Sequence, residues 1–233
     1  MNEWLSFARG PFFRFTFAVM VLGLLRNVIV TLWGVWRTRQ LSNHDELSWQ
    51  RVAVQTVDWM IPVRHLRQRW VHSVLSVLFH VGVIVTPLFV FGHVRLVERN
   101  LGVSWPALPV GLADDLTLLT LAAAAGLLLA RAGERASRTI SRTQDVLLPV
   151  LVAVPFATGY LASHPHVNPF PYNPTMLVHM LSAGACFLLV PFTKLSHMLL
   201  MPLARLPNEL AWRFPDGYPE AVARQIGRQG RAV

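Results

Sequence analysis

The sequence predicts an all-α integral membrane protein, a bundle of five membrane-spanning helices. Three observations carry that prediction: the apolar share of the chain, the length of its apolar runs, and the placement of its charges. Of 233 residues, 53% are hydrophobic and 14% charged, with a mean hydropathy of +0.43. That is too apolar for an ordinary soluble domain. Five runs approach the ~20 residues a helix needs to cross a bilayer. The formal net charge is +9, and the arginines gather in particular loops between the runs. The basic balance therefore reads as membrane topology, and no nucleic-acid partner is expected.

The spans are placed at about 12–33, 70–94, 113–129, 146–161 and 176–203, in one membrane domain of residues 1–203 followed by a basic tail, 204–233. The first is too long for the apolar core of a secretory signal, and no small-x-small cleavage site follows it. A polar segment from Arg37 to Arg69, punctuated by Trp49 and Trp59, suits the membrane surface or a docked partner. The second span carries Pro87, which must break at least one backbone hydrogen bond. The third opens on Asp114 and Asp115, suited to a helix N-terminus, and its LAAAAG stretch permits close helix packing. The fourth is short and holds Pro149 and Pro155. The fifth, beginning at Met176, is the longest apolar stretch of this half of the chain.

Orientation follows from the loops. The first loop, the third loop (Arg131 to Arg142) and the tail are arginine-rich, whereas the fourth loop, SHPHVNPFPYNP, has no Lys or Arg. The arginine-rich segments are expected in the cytoplasm. Five spans then put the N-terminus outside and the C-terminus inside, with Arg9 and Arg14 on the less favourable side.

Histidines mark the candidate chemistry. His179 and His197 are eighteen residues apart, five turns of a straight helix and about 27 Å along its axis. Both would leave one face, one near each edge of a hydrocarbon layer about 30 Å thick. The second span holds His80 and His93, thirteen residues apart. A straight helix sets these two off one face, and a kink at Pro87 can rotate the far end. With the second and fifth spans antiparallel, His80 and His197 fall toward the cytoplasm and His93 and His179 toward the exterior. Two imidazoles from facing helices form a bis-axial set for haem iron, with no open position for oxygen chemistry. Two haem b groups are therefore expected, held by His80, His93, His179 and His197. His72 sits at the membrane edge, and His44 and His65 lie outside any span.

The lone cysteine, Cys186, excludes an internal disulfide and a cysteine-ligated iron–sulfur cluster. No C-x-x-C-H motif is present for covalent haem attachment. Gly82, Gly92 and Gly184 are candidates for letting a porphyrin approach the backbone. Arg26, Arg67, Arg69, Arg95 and Arg99 are candidates for haem propionates, and Arg26 has snorkelling as its alternative. Asp114, His164, His166 and Tyr172 are candidates for a quinone site beside the outer haem. A column of two haems needs a membrane-soluble donor or acceptor, a quinone, and a cytoplasmic redox partner. The competing class is a haem-free transporter or proton relay built on the same buried histidines.

The motifs LFHVG at Leu78–Gly82, GH at Gly92–His93 and HMLSAGACFLLVPFTKLSH at His179–His197 resemble the gamma-subunit family of respiratory nitrate reductase. They are also similar to cytochrome b subunits of heterodisulfide-reductase-like complexes. The resemblance covers all five spans. It implies a dihaem cytochrome b of a bacterial or archaeal cytoplasmic membrane, exchanging electrons between quinone and a cytoplasmic iron–sulfur subunit that leads to the substrate chemistry. It also implies that His80 with His197 hold the inner haem and His93 with His179 the outer one. The sequence departs from the nitrate-reductase members in two places. They space the second-span pair by ten residues, and they carry a lysine before the third span where this chain reads GLADDL. The second departure leaves the quinone type and site geometry open and points to a relative rather than a true nitrate reductase subunit.

Overall fold

A computed structural model describes residues 1–41, 50, 54, 70–197, 200–201, 203, 224 and 227, the side chains of residues 38, 39, 41 and 136 aside. Most of those residues are helical, with no strand among them. The helices are α1 (Asn2–Phe7), a π-helical turn (Ala8–Phe12), α2 (Phe13–Leu41), α3 (Trp70–Phe89), α4 (Phe91–Leu101), α5 (Val110–Gly133), α6 (Arg135–Ile140), α7 (Thr143–Ser163) and α8 (Tyr172–Leu189). Among the described residues, five stretches are long and apolar enough to cross a membrane: Asn2–Arg37, Trp70–Phe89, Val110–Gly133, Thr143–Ser163 and Tyr172–Phe192.

The chain divides into two compact units, one of Met1–Gly23 with Pro62–Leu195, the other of Leu24–Ile61 with Ser196–Val233. In the first, α3 packs on α5, α5 on α7, and α7 on α8, and α8 meets α1 and the π-helical turn. Large apolar side chains such as Leu118, Leu119, Leu147 and Val150 point outward, while the interior mixes small residues with a few large ones, Leu148 and Phe156 among them. On α5 the buried positions are Ala113, Thr117, Thr120, Ala123 and Ala124, spaced three and four apart along one stripe. This is membrane packing: without a hydrophobic drive between helices, small residues bring backbones into van der Waals contact. Gly82 of α3 faces that stripe, and a methyl there would overlap the Thr120 side chain. Buried threonines return their hydroxyls to their own helix, Thr117 to the Ala113 carbonyl at 2.7 Å and Thr120 to that of Leu116 at 2.6 Å.

Three boundaries differ from the sequence-based spans. The first helix begins at Asn2 rather than near residue 12, because a π-helical turn absorbs Pro11. The second is interrupted: Val90 is extended (φ −64°, ψ 131°) and the chain restarts as α4. The fifth is not one helix over 176–203. It ends at Leu189 and passes into 3₁₀ turns at Val190–Phe192 and Lys194–Ser196. Pro191 cannot donate to the Phe187 carbonyl, so the α pattern stops there. The five-turn registry of His179 with His197 fails with it. The third and fourth helices run a few residues beyond 113–129 and 146–161 at each end.

Candidate functional site

The break between α3 and α4 builds the site. Pro87 has no N–H for the Val83 carbonyl, and the chain turns out of the helix at Val90. Three carbonyls are thereby freed and each finds a donor. His93 Nδ1 lies 2.9 Å from the Pro87 carbonyl, the Trp105 indole donates to Leu88 at 2.8 Å, and the Leu108 N–H donates to Phe89 at 2.8 Å. Trp105 and Leu108 belong to the segment after α4, whose C-cap is Gly102 at φ 73°, a conformation that favours glycine.

Across from His93 stands His179 of α8. Its Nδ1 lies 2.8 Å from the carbonyl of Pro155, a buried residue of α7. The two rings are 5.8 Å apart between centroids, with planes 7° from parallel. Each Nδ1 faces a carbonyl, which only accepts, so each Nδ1 carries the proton and each Nε2 keeps its lone pair. Backbone carbonyls hold metal-binding histidines in this way elsewhere. Two imidazoles bound trans to one metal at about 2 Å each hold their ring centres about 6 Å apart. The donor set, the tautomers and the spacing would suit a haem iron held by His93 and His179. Among the described residues no three His, Cys, Asp or Glu side chains are placed to hold a metal ion together; haem would require only two.

Gly159 of α7 makes the space for His179, since a Cβ there would stand 2.9 Å from Cε1 and 3.0 Å from Nδ1 of the ring. Sequence reading did not single out Gly159. The glycines it did choose serve otherwise: Gly82 seats Thr120, Gly184 seats the Phe12 ring, and Gly92 has open space where its Cβ would be. Cys186 also has a local explanation. Pro155 leaves the Leu151 carbonyl without its helical donor, and the Cys186 thiol points to that oxygen at 3.8 Å. Thr86, the residue before Pro87, is buried, and its hydroxyl has no partner among the described residues.

At the same end of the bundle, α5 begins and α7 finishes. His164 Nε2 lies 3.2 Å from Asp114 Oδ2, and His164 Nδ1 lies 3.0 Å from the Tyr160 carbonyl. The Tyr160 ring stacks on His164 at 4.2 Å, and His166 approaches it edge-on at 5.6 Å. Of the four quinone-site candidates, the structure brings together Asp114, His164 and His166. Tyr172 is exposed at the first turn of α8 and makes no hydrogen bond or ring contact with that group. Tyr160 was missed, although its place one turn before His164 in a helix could have signalled the stacking.

His80 sits in α3 with Nδ1 2.7 Å from the Ser76 carbonyl, which again leaves Nε2 as the basic nitrogen. His197 is exposed and belongs to the second unit. His72 is exposed in the first turn of α3. Arg95 is exposed and paired with Glu98 at 2.6 Å, and Arg99 is exposed. Arg26, in the second unit, is exposed and donates to the Asn27 side chain at 3.3 Å. Arg67 and Arg69 lie outside the described residues, as do His44 and His65.

No family model matches the chain, and no solved structure matches it. A protein of Nitratidesulfovibrio vulgaris strain Hildenborough, whose name states no activity, is 32% identical over 205 residues, covering 86% of this chain and 89% of the relative. At that identity and coverage, the chain belongs to the same protein family as its Nitratidesulfovibrio vulgaris relative.

Proposed function

We propose that the chain is the membrane subunit of a quinone-linked oxidoreductase, a dihaem cytochrome b. It would carry electrons between the quinone pool and a cytoplasmic iron–sulfur partner in which the route to the substrate begins. The observation that carries the reading is the His93–His179 pair, two rings 5.8 Å apart and 7° from parallel, each with its Nδ1 committed to a carbonyl. His93 and His179 would hold the haem, which when bound would supply one-electron exchange. The chain's own share is to fix both tautomers, hold both rings nearly parallel and exclude water with packed helices. His80 and His197 as the ligands of a second, inner haem rest on the sequence resemblance.

Quinol oxidation releases protons as well as electrons. The Asp114–His164 pair, 3.2 Å apart and at the same end of the bundle as His93 and His179, offers a carboxylate and an imidazole able to take them. The deciding experiment is a reduced-minus-oxidised visible spectrum of the purified full chain, expressed with ample haem. Two b-type haems per chain are expected, and one in His179→Ala. A colourless protein would refute the proposal and leave the proton-relay class standing.

A further inference from the structure

The basic third loop takes no part in that reading, yet it shapes a groove. The end of α5, α6 and the start of α7 enclose about 500 Å³, lined among others by Leu128, Leu129, Val146, Arg131, Arg138 and Ser141. We propose that this groove binds one anionic phospholipid, its phosphate between Arg131 and Arg138 and an acyl chain along Leu128, Leu129 and Val146. The inference rests only on the helices being membrane-spanning and is independent of haem.

Two kinds of chemistry meet there. The walls are apolar and continue onto the outer flanks of spanning helices, where Leu129 is 73% exposed and Leu147 58%. Ile140 of α6 is 81% exposed as well. The rim is cationic. Arg131, Arg135, Arg138 and Arg142 line the loop, and the nearby acids are already engaged. Glu134 accepts from Ser137 at 2.5 Å, and Asp145 accepts from Lys194 at 2.6 Å and from the Arg142 N–H at 2.9 Å. Arg131 reaches Asp145 only at 3.8 Å. The negative end of α5 would oppose an anion, but Arg138 caps it by donating to the Ala132 carbonyl at 2.6 Å. A guanidinium has five N–H donors, and the bond to the Ala132 carbonyl engages one of those on Arg138, which lines the groove. Basic pockets between spanning helices bind anionic headgroups for this reason. An acidic protein surface would satisfy the arginines and leave the apolar slot unfilled.

The test is native mass spectrometry of the purified full chain, titrated with phosphatidylglycerol or phosphatidylcholine. Phosphatidylglycerol should be retained at one per chain with roughly tenfold or greater preference, the scale expected for two basic residues at a membrane surface. The double variant R131Q/R138Q should lose the preference. Val146→Trp, which fills the slot without changing charge, should lose retention as well, and Arg135→Gln should change neither. If R131Q/R138Q fails to fold, Val146→Trp and Arg138→Lys decide, the lysine variant keeping the preference. Equal retention of the two lipids overturns the proposal, as does a Val146→Trp variant that binds normally or an Arg135→Gln variant that loses as much as the groove variants. So does loss of an acidic partner protein from R131Q/R138Q with lipid retention intact.

Discussion

At the scale of single residues, the histidine pair is held by what surrounds it as much as by what it is. Gly159 shows this most directly. In Gly159→Ala the new methyl would stand 2.9 Å from Cε1 and 3.0 Å from Nδ1 of His179. The ring cannot swing away without losing its 2.8 Å bond to the Pro155 carbonyl. The expected result is a helical, membrane-inserted protein that loses or perturbs one haem, read as a reduced α-band weakened by up to half and a shifted low-spin electron paramagnetic resonance signal. An unchanged spectrum would mean that His179 carries no iron. The histidines themselves were legible in the sequence, because imidazoles in apolar runs stand out. Gly159 was not, since its role depends on which turn of α7 lies against α8. Cys186 was visible as a lone thiol, but its contact with the Leu151 carbonyl follows from Pro155 and requires the packing to be known.

At the scale of elements, Pro87 was legible and its consequence was only half so. A kink was expected; the structure breaks the helix and sets three freed carbonyls against donors from His93, Trp105 and Leu108. Pro87→Ala would restore the N–H for the Val83 carbonyl and let α3 run on, turning His93 off the face that meets His179. Circular dichroism should then show helix content kept or raised while the spectrum loses one haem. Trp105→Phe removes a single donor and should cost about 1 kcal/mol, with both haems retained. The fifth span was overextended for a related reason. Hydropathy continues past Pro191, but hydrogen-bond continuity does not, and composition reports only the first. Close packing of the third span, by contrast, was legible from its alanines, and the structure adds the partner. Gly82→Ala would overlap the Thr120 side chain, should destabilise the bundle by about 1–3 kcal/mol, and should be partly rescued by Thr120→Ala in thermal unfolding.

At the scale of the whole molecule, what remains to be set is which end faces the cytoplasm. The helices supply spans without direction, and direction comes from loop charge. Arg131, Arg135, Arg138 and Arg142 lie at the end of the bundle where α5 finishes and α7 begins. The segment between α7 and α8, with His164 and His166, has no Lys or Arg. Keeping arginines on the cytoplasmic side favours one insertion over its inverse, so the His93–His179 end should face outward. Both segments offer exposed positions for labelling, Val167 in one and Arg135 in the other. Cys186 can first be replaced by serine, whose hydroxyl can still donate toward the Leu151 carbonyl. In that background, a cysteine at Val167 should react in intact spheroplasts with a maleimide that cannot cross the membrane. A cysteine at Arg135 should react only after the membrane is opened. The reverse pattern would invert the column, placing the Asp114–His164 pair in the cytoplasm. Quinol protons would then be released inward, and the arginine-rich third loop would lie outside, against the charge rule.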